Sequence, residues 1–317
     1  MKKRIISVLL ATVFALSVIG CGTKDTKEQD AYRQYGITCM ESGKHEDAVK
    51  AFQNALGESI GHIGEKELDI CFYKAKAQAL NGKTKDALAT YDAIIKYNKD
   101  ARAYYLRGDL YMDMGEEKKG KADFESAVQH GKKNYEIYIG IYESLSRHEK
   151  KDEGQKYLSA AMEIKGDKPE DELYKGRISY LLGENKDAIS YLEKAKEHKQ
   201  MLASYYLGLA YDANGDSDKA KKCIAEYIKS GVATSYDLYE LGMQEMQDGN
   251  YKNALTYFNS GLELEKVPNK QNLMKSAIAA YEYSGDFDSA KKMMKEYLKA
   301  YPDDEEAKHE NTFLETR

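Results

Sequence analysis

The sequence predicts an all-α protein built from about eight two-helix repeats. A glycine followed five residues later by a small residue recurs about every 34 residues, and we call this glycine the marker. Apolar residues keep helical spacing on both sides of each marker. Proline, which interrupts helices, occurs only three times in 317 residues. Because one such hairpin cannot bury its apolar side alone, consecutive hairpins are expected to stack into an α-solenoid.

The N-terminus has the pattern of a secretory signal. A basic head, Met1–Arg4, precedes an apolar run from Ile5 to Ile19. That run is shorter than the roughly twenty residues of a membrane-spanning helix. Val18-Ile19-Gly20-Cys21 resembles a bacterial lipobox, in which the cysteine becomes the lipidated first residue after cleavage. The resemblance implies a lipid on Cys21 and a place on the extracytoplasmic face of the cell membrane; an ordinary signal peptide or a short anchor is the alternative.

The charge balance argues against a nucleic-acid partner. Cleavage before Cys21 removes three basic residues and no acidic ones, which changes the net charge from −5 to −8. Nucleic-acid binders normally carry a basic face.

The other three cysteines are predicted to be free thiols that act as small apolar side chains. Cys39, Cys71 and Cys223 are odd in number and lack the spacing of a zinc site. No metal and no cofactor is predicted.

Four segments are expected along the chain. Residues 1–20 are the lipoprotein signal peptide, and the polar residues 21–28 are a flexible tether. Residues 29–302 form the solenoid, in which no shift of composition marks a second domain. Residues 303–317 form a capping helix, whose acidic start at 303–306 suits a helix N-terminus.

Other recurring residues of the repeat lie at constant distances in sequence from the marker. Seven residues before it stands a small residue in most repeats, and nine residues after it stands a large apolar one. The marker glycine is expected to end the first helix in a left-handed conformation that only glycine adopts cheaply, and the small residues are expected to let the two helices approach closely. The marker positions are Gly43, Gly82, Gly115, Glu149, Gly183, Gly215, Gly249 and Gly285.

The pattern resembles the tetratricopeptide repeat over nearly all of residues 29–302. The segments Tyr104-Tyr-Leu-Arg-Gly-Asp-Leu-Tyr111 and Tyr205-Tyr-Leu-Gly-Leu-Ala-Tyr211 carry the first-helix signature of that family. Pro302 stands where the family often places a closing proline, which the other repeats lack. The resemblance implies a right-handed superhelix whose first helices line a concave groove, with a protein or peptide partner bound there.

Two places depart from the pattern. The fourth unit, at about 135–166, has Glu149 for the marker glycine and Tyr142 for the small residue. The extra segment Gly57–Gly64 is predicted to be a longer loop between the first two repeats.

By the same resemblance, side chains ten, six, three and two residues before the marker point into the groove. Tyrosine, with 27 copies and no tryptophan beside it, supplies adaptable contact area, and methionine adds adaptable apolar contacts. Packing between adjacent repeats is the alternative for any single residue, although Tyr105, Tyr205 and Tyr239 are expected to be partly exposed. The residues predicted to bind in the groove are Phe72, Tyr105, Met112, Tyr180, Tyr205, Tyr239, Met243 and Met246.

Three segments match catalytic or ligand-binding motifs in part, but each lacks the structural context or a residue that its motif requires. The chain is therefore predicted not to be an enzyme. Ala77–Thr84 loosely matches a phosphate loop, but such a loop follows a strand and this segment lies in a repeat. Gly57–Gly61 matches a serine nucleophile elbow, again without a strand. Asp212–Asp218 begins like a calcium loop, but the twelfth position is Cys223 rather than glutamate.

The leading hypothesis is a lipid-anchored, extracytoplasmic scaffold that grips a protein or peptide segment in its groove. One alternative is an accessory assembly factor for an envelope complex. Another is a carbohydrate- or cell-wall-binding lipoprotein, with tyrosine rings stacking on sugars.

Overall fold

The computed structural model describes residues 27–59, 63–166 and 168–317, which form seventeen α-helices and no β-strand. The signal at 1–20 and Cys21 lie outside the described residues. The all-α repeat fold is confirmed. The helices are α1 (Lys27–Glu41), α2 (His45–Gly57), α3 (Glu65–Leu80), α4 (Thr84–Asn98), α5 (Ala101–Asp113), α6 (Glu117–His130), α7 (Tyr135–Arg147), α8 (Lys151–Met162), α9 (Pro169–Leu182), α10 (Asn185–Glu197), α11 (Leu202–Ala213), α12 (Ser217–Lys229), α13 (Ser235–Gln247), α14 (Tyr251–Leu262), α15 (Lys270–Tyr283), α16 (Phe287–Ala300) and α17 (Glu305–Leu314).

Sixteen of these helices pair into eight hairpins, in which odd numbers are first helices and even numbers are second helices. The hairpins belong to two compact units: residues 27–232 hold α1–α12, and residues 233–317 hold α13–α17. Within each unit, first helices of neighbouring hairpins touch, as α5 touches α7 and α13 touches α15, whereas neighbouring second helices barely meet. The first helices therefore form the inner side of each stack, which we call the inner face.

Every predicted marker has the left-handed backbone that ends its first helix. The seven marker glycines have φ between 70° and 85°, and Glu149 has φ of 62°. The turn bonds also match, because Lys83 N–H donates to the Gln78 carbonyl and Lys150 N–H donates to the Leu145 carbonyl, both at 2.8 Å. The fourth unit is therefore a hairpin of the same geometry, despite its glutamate.

Replacing Glu149 with glycine is expected to stabilise the 27–232 unit by about 0.5–1 kcal/mol. A side chain in the left-handed region costs about 1 kcal/mol that glycine does not incur, and the exposed Glu149 forms no ion pair there. Chemical denaturation would measure the gain. Glu184→Gly is the control, because Glu184 has φ of −84° and should lose stability instead. An equal loss in both variants would contradict the prediction.

The small residue before the marker provides the contact between the helices of a hairpin. A Cβ added to Gly36 would lie 2.6 Å from Cε1 of Phe52, and one added to Gly242 would lie 2.3 Å from Cε1 of Phe258. Both phenylalanines are fully buried. The glycine and the ring across from it therefore form a pair whose volumes are matched.

The fourth hairpin achieves the same fit in reverse. Tyr142 replaces the small residue of α7 and is 7% exposed. Opposite it, α8 has Gly154 where six of the other hairpins have alanine, and a Cβ there would lie 3.0 Å from Cδ2 of Tyr142. The Tyr142 hydroxyl donates to the carbonyl of Leu181 at 3.4 Å. The larger residue on the first helix is thus matched by glycine, the smallest residue, on the second.

Candidate protein-binding site

The inner face of the 233–317 unit carries an apolar stripe on α13. Tyr239, Met243 and Met246 stand one helical turn apart, because their spacing is four and then three residues. All three are half-buried and pack against the core that contains Phe258, with the Tyr239 and Phe258 ring centres 6.2 Å apart. Each keeps part of its surface in solvent. We call these three residues the α13 stripe.

In the 27–232 unit, the first helices carry Phe72, Tyr180 and Tyr205, and all three side chains are half-buried. The Arg102 guanidinium lies 4.6 Å from the centre of the Phe72 ring. Tyr180 packs on the core of α9–α12, and burial raises the pKa of its phenol. Tyr205 lies against Tyr206, with ring centres 5.1 Å apart. These three residues remain predicted contacts for a partner.

Met112 is not on the inner face, which corrects the sequence prediction. It is 4% exposed and belongs to the core with Phe124. A Cβ on Gly120 would lie 2.8 Å from its sulfur. The third hairpin has glycine at both 108 and 120, and the space this leaves admits the flexible methionine.

Tyr105 is partly exposed as a residue, but its hydroxyl is buried and unpartnered. A Cβ on Gly140 would lie 2.6 Å from Cζ of Tyr105, so the ring packs between α5 and α7. Burial and nearby carboxylates raise the pKa of its phenol. Tyr105 therefore mainly packs between two hairpins, which is the alternative that the sequence analysis gave for any single groove residue.

Sequence reasoning missed a series of ion pairs that join neighbouring first helices. Arg33 on α1 binds Asp69 on α3 at 2.6 Å, and Arg147 on α7 binds Asp109 on α5. Arg177 on α9 binds Glu143 on α7 at 3.0 Å. The sequence does contain a signal for such pairs. Positions two and six before the marker, which were predicted to face the groove, hold charged residues in several repeats.

Arg177 is the most enclosed of these arginines, with 16% of its side chain exposed. It contacts Glu136 at 3.3 Å as well as Glu143, and its guanidinium lies 5.5 Å from the centre of the Tyr206 ring. Burial raises the pKa of Glu143, while the charge of Arg177 acts to lower it. The inner face of the 27–232 unit is therefore charged and internally paired at α7–α9, whereas that of the 233–317 unit is apolar at α13.

The motifs set aside in the sequence serve the fold. Gly82, from the phosphate-loop match, lies in a hairpin turn with φ of 74°. Asp216, from the calcium-loop match, caps α12 by accepting from the Lys219 N–H at 3.3 Å. Among the described residues, no group of three or more His, Cys, Asp or Glu side chains could hold a metal ion.

The cysteines that the structure describes are free, as predicted. Cys39 and Cys223 are buried and Cys71 is half-buried. Burial raises the pKa of the Cys71 and Cys223 thiols, which makes them poor nucleophiles. Across the described ranges, no helix is long and apolar enough to cross a membrane.

Comparison with known protein families finds the repeat in three places. A tetratricopeptide repeat model matches residues 101–129, and a second model of the same description matches residues 202–230 and 271–304. These segments coincide with α5–α6, α11–α12 and α15–α16. No curated protein matches the chain.

Several solved structures are similar to the chain. A tetratricopeptide repeat protein from Parabacteroides merdae is 12% identical, and the match covers 80% of this chain and 99% of that chain, with a TM-score of 0.47. A chain of the Cut9–Hcn1 hetero-tetramer of the APC/C is 16% identical, and the match covers 90% of this chain and 55% of that chain, with a TM-score of 0.44. PilW, a type IV pilus biogenesis factor, is 18% identical, and the match covers 66% of this chain and 97% of that chain, with a TM-score of 0.44.

The family assignment rests on the matched segments together with the register of the others. The matches fall on the third, sixth and eighth hairpins. The remaining five have the same helix pair, and each has a residue with left-handed backbone at its marker position. The chain is therefore a tetratricopeptide repeat protein.

Proposed function

We propose that the chain is a lipid-anchored scaffold on the extracytoplasmic face of the cell membrane, which binds an extended segment of a partner protein along its inner face. Tetratricopeptide repeats are protein-interaction modules, so the fold supports a protein-binding scaffold. The α13 stripe is the observation that carries the proposal for the inner face.

The stripe suits a peptide for physical reasons. Its methionines are flexible and polarisable, so they adapt to apolar side chains of different shape. Tyr239 adds a rigid ring and one hydroxyl at low entropic cost. Covering the exposed part of these side chains would contribute about 25 cal/mol for each Å² of apolar surface removed from water.

The proposed anchor rests on the sequence around Cys21. Acyl chains on this cysteine would bind the membrane with about 0.8 kcal/mol per buried methylene. Helix α1 begins at Lys27, six residues after Cys21. Six residues reach at most about 20 Å when fully extended. The first hairpin would therefore work close to the membrane surface.

Replacing Cys21 with serine is expected to move the chain from the membrane fraction to the soluble fraction of its native cells. Serine cannot carry the thioether-linked lipid, and a chain without acyl groups has no stable hold on the bilayer. Fractionation followed by immunoblotting would measure the shift. Cys39→Ser is the matched control, because Cys39 lies buried in the first hairpin. Retention of the Cys21→Ser chain in the membrane would refute the anchor.

A photo-crosslinking residue at Met246 is expected to capture a protein partner from intact native membranes. The same residue at Lys295 is the control, because Lys295 is exposed on the second helix α16, away from the inner face. Mass spectrometry would identify an adduct specific to position 246. Equal capture at both positions would argue against the inner face. Retention of the chain on a glycan matrix without any protein adduct would favour carbohydrate binding instead.

A further inference from the structure

Helix α17 packs on the last hairpin of the 233–317 unit and is fixed firmly at its N-terminal end. Its Ala307 and Leu314 are buried in the core that holds Ile278 and Tyr297. Asp304, just before the helix, accepts hydrogen bonds from the Ala307 N–H at 3.1 Å and the Tyr297 hydroxyl at 2.5 Å. The Lys275 ammonium on α15 lies 2.8 Å from the same carboxylate.

The other end of the α15–α17 contact is different, because two carboxyl groups meet there. Glu282 of α15 is two turns after Lys275, and Glu310 of α17 faces it. Both residues are half-buried. The Oε1 atom of Glu282 is inaccessible to water and accepts no hydrogen bond in the described structure.

No cation stands close enough to neutralise this pair within residues 233–317. Lys275 is held by Asp304 and lies 3.8 Å from Glu306, and Lys308 of α17 is paired with Glu305 at 2.7 Å. Neither α14 nor α16 contributes an ion pair to Glu282, and the charge that acts on it is that of Glu310. Two ionised carboxylates here would repel each other in a partly desolvated contact.

One shared proton removes this conflict. A protonated carboxyl donates a hydrogen bond to the ionised one, so the pair attracts instead of repelling. Consistent with this, burial and the neighbouring Glu310 raise the pKa of Glu282 to about 7.

We propose that α17 is a pH-sensitive cover over the eighth hairpin, docked while Glu282 is protonated against Glu310 and loosened once Glu282 ionises. Loosening exposes the apolar side of α15 and α16 around Ile278 and Tyr297, which α17 buries. This inference concerns residues 233–317 alone and does not depend on the anchor or on the partner of the α13 stripe.

The direction of the pH effect follows from the two states. The pKa of Glu282 is about 7 when α17 is docked and returns towards its ordinary value of about 4.3 when α17 is released. The docked form therefore binds more protons between these values, and docking weakens as the pH rises through about 7. Because the pair is half-exposed, solvent screening reduces the effect below that of a fully buried group.

Hydrogen exchange of the full chain at pH 5.5 and pH 8.5, corrected for intrinsic rates, tests the cover. Protection of the amides of α17 is expected to fall about tenfold or more at the higher pH. Glu282→Gln should keep α17 protected at both values, because the amide cannot ionise. Glu296→Gln, exposed on α16, is the matched control and should show the wild-type drop.

Two outcomes would overturn the proposal. One is protection of α17 that does not change with pH in the wild-type chain. The other is a pH-dependent drop that persists in Glu282→Gln. Glu310→Gln tests the same pair from the other helix, so the result holds even where one variant folds poorly.

Discussion

Replacing Gly242 with valine is expected to lower the free energy of unfolding of the 233–317 unit by about 3 kcal/mol. Even the first carbon of the new side chain would lie 2.3 Å from a fully buried phenylalanine ring, so α13 and α14 must separate or Phe258 must leave its rotamer. Denaturant unfolding followed by hydrogen exchange on α13 and α14 would measure the loss. Gly57→Val is the control, since a Cβ at Gly57 meets no atom within 4 Å.

A double-mutant cycle tests the cause of that loss. Phe258→Ala alone should cost about 3–5 kcal/mol, because it empties a fully buried site. In that background Gly242→Val should cost far less than in the wild type, because the ring it strikes is gone. Additive losses would mean that Gly242 matters for backbone freedom and not for its fit with Phe258.

Replacing Arg177 with methionine is expected to cost the 27–232 unit about 3–5 kcal/mol at pH 7. The substitution keeps an apolar stem but leaves Glu136 and Glu143 facing each other in a partly buried contact without their cation. Arg102→Met is the control, because Arg102 is 55% exposed and pairs with Asp100 only two residues away. That variant should lose about 1 kcal/mol or less.

The cost of Arg177→Met should also depend on pH in a defined direction. Burial already raises the pKa of Glu143, and removing the adjacent positive charge raises it further. The folded variant then binds more protons than the unfolded chain, so its deficit shrinks as the pH falls towards about 4. Urea unfolding at pH 4.5 and pH 7.5 would measure this. A deficit that is the same at both values, or no larger than that of Arg102→Met, would contradict the assignment.

The hairpins could be predicted because the residues that define them are close in sequence. A marker glycine, a small residue seven positions before it and a large one nine positions after it all meet within one hairpin. The phase placed Glu149 at the marker position of the fourth unit, and the structure shows that this residue has the left-handed backbone of the marker glycines, with φ of 62°.

Contacts between hairpins were harder to predict, because they depend on how far one repeat is displaced along the next. Arg177 and Glu143 stand at equivalent positions of successive repeats, yet only the packed helices show that they meet. Met112 was misassigned for a related reason. Its exposure depends on Gly120, a residue of the next helix whose missing side chain creates room in the core.

The exchange between Tyr142 and Gly154 limits how this array could be rearranged. A Cβ at residue 154 would lie 3.0 Å from Cδ2 of Tyr142, which is tighter than an ordinary side-chain contact, so these two helices are a matched pair. Shuffling whole hairpins would preserve such pairs, whereas joining α7 to the second helix of another hairpin would in six of seven cases set Tyr142 against an alanine and crowd the contact. The unit of modular exchange in this chain is therefore the hairpin and not the helix.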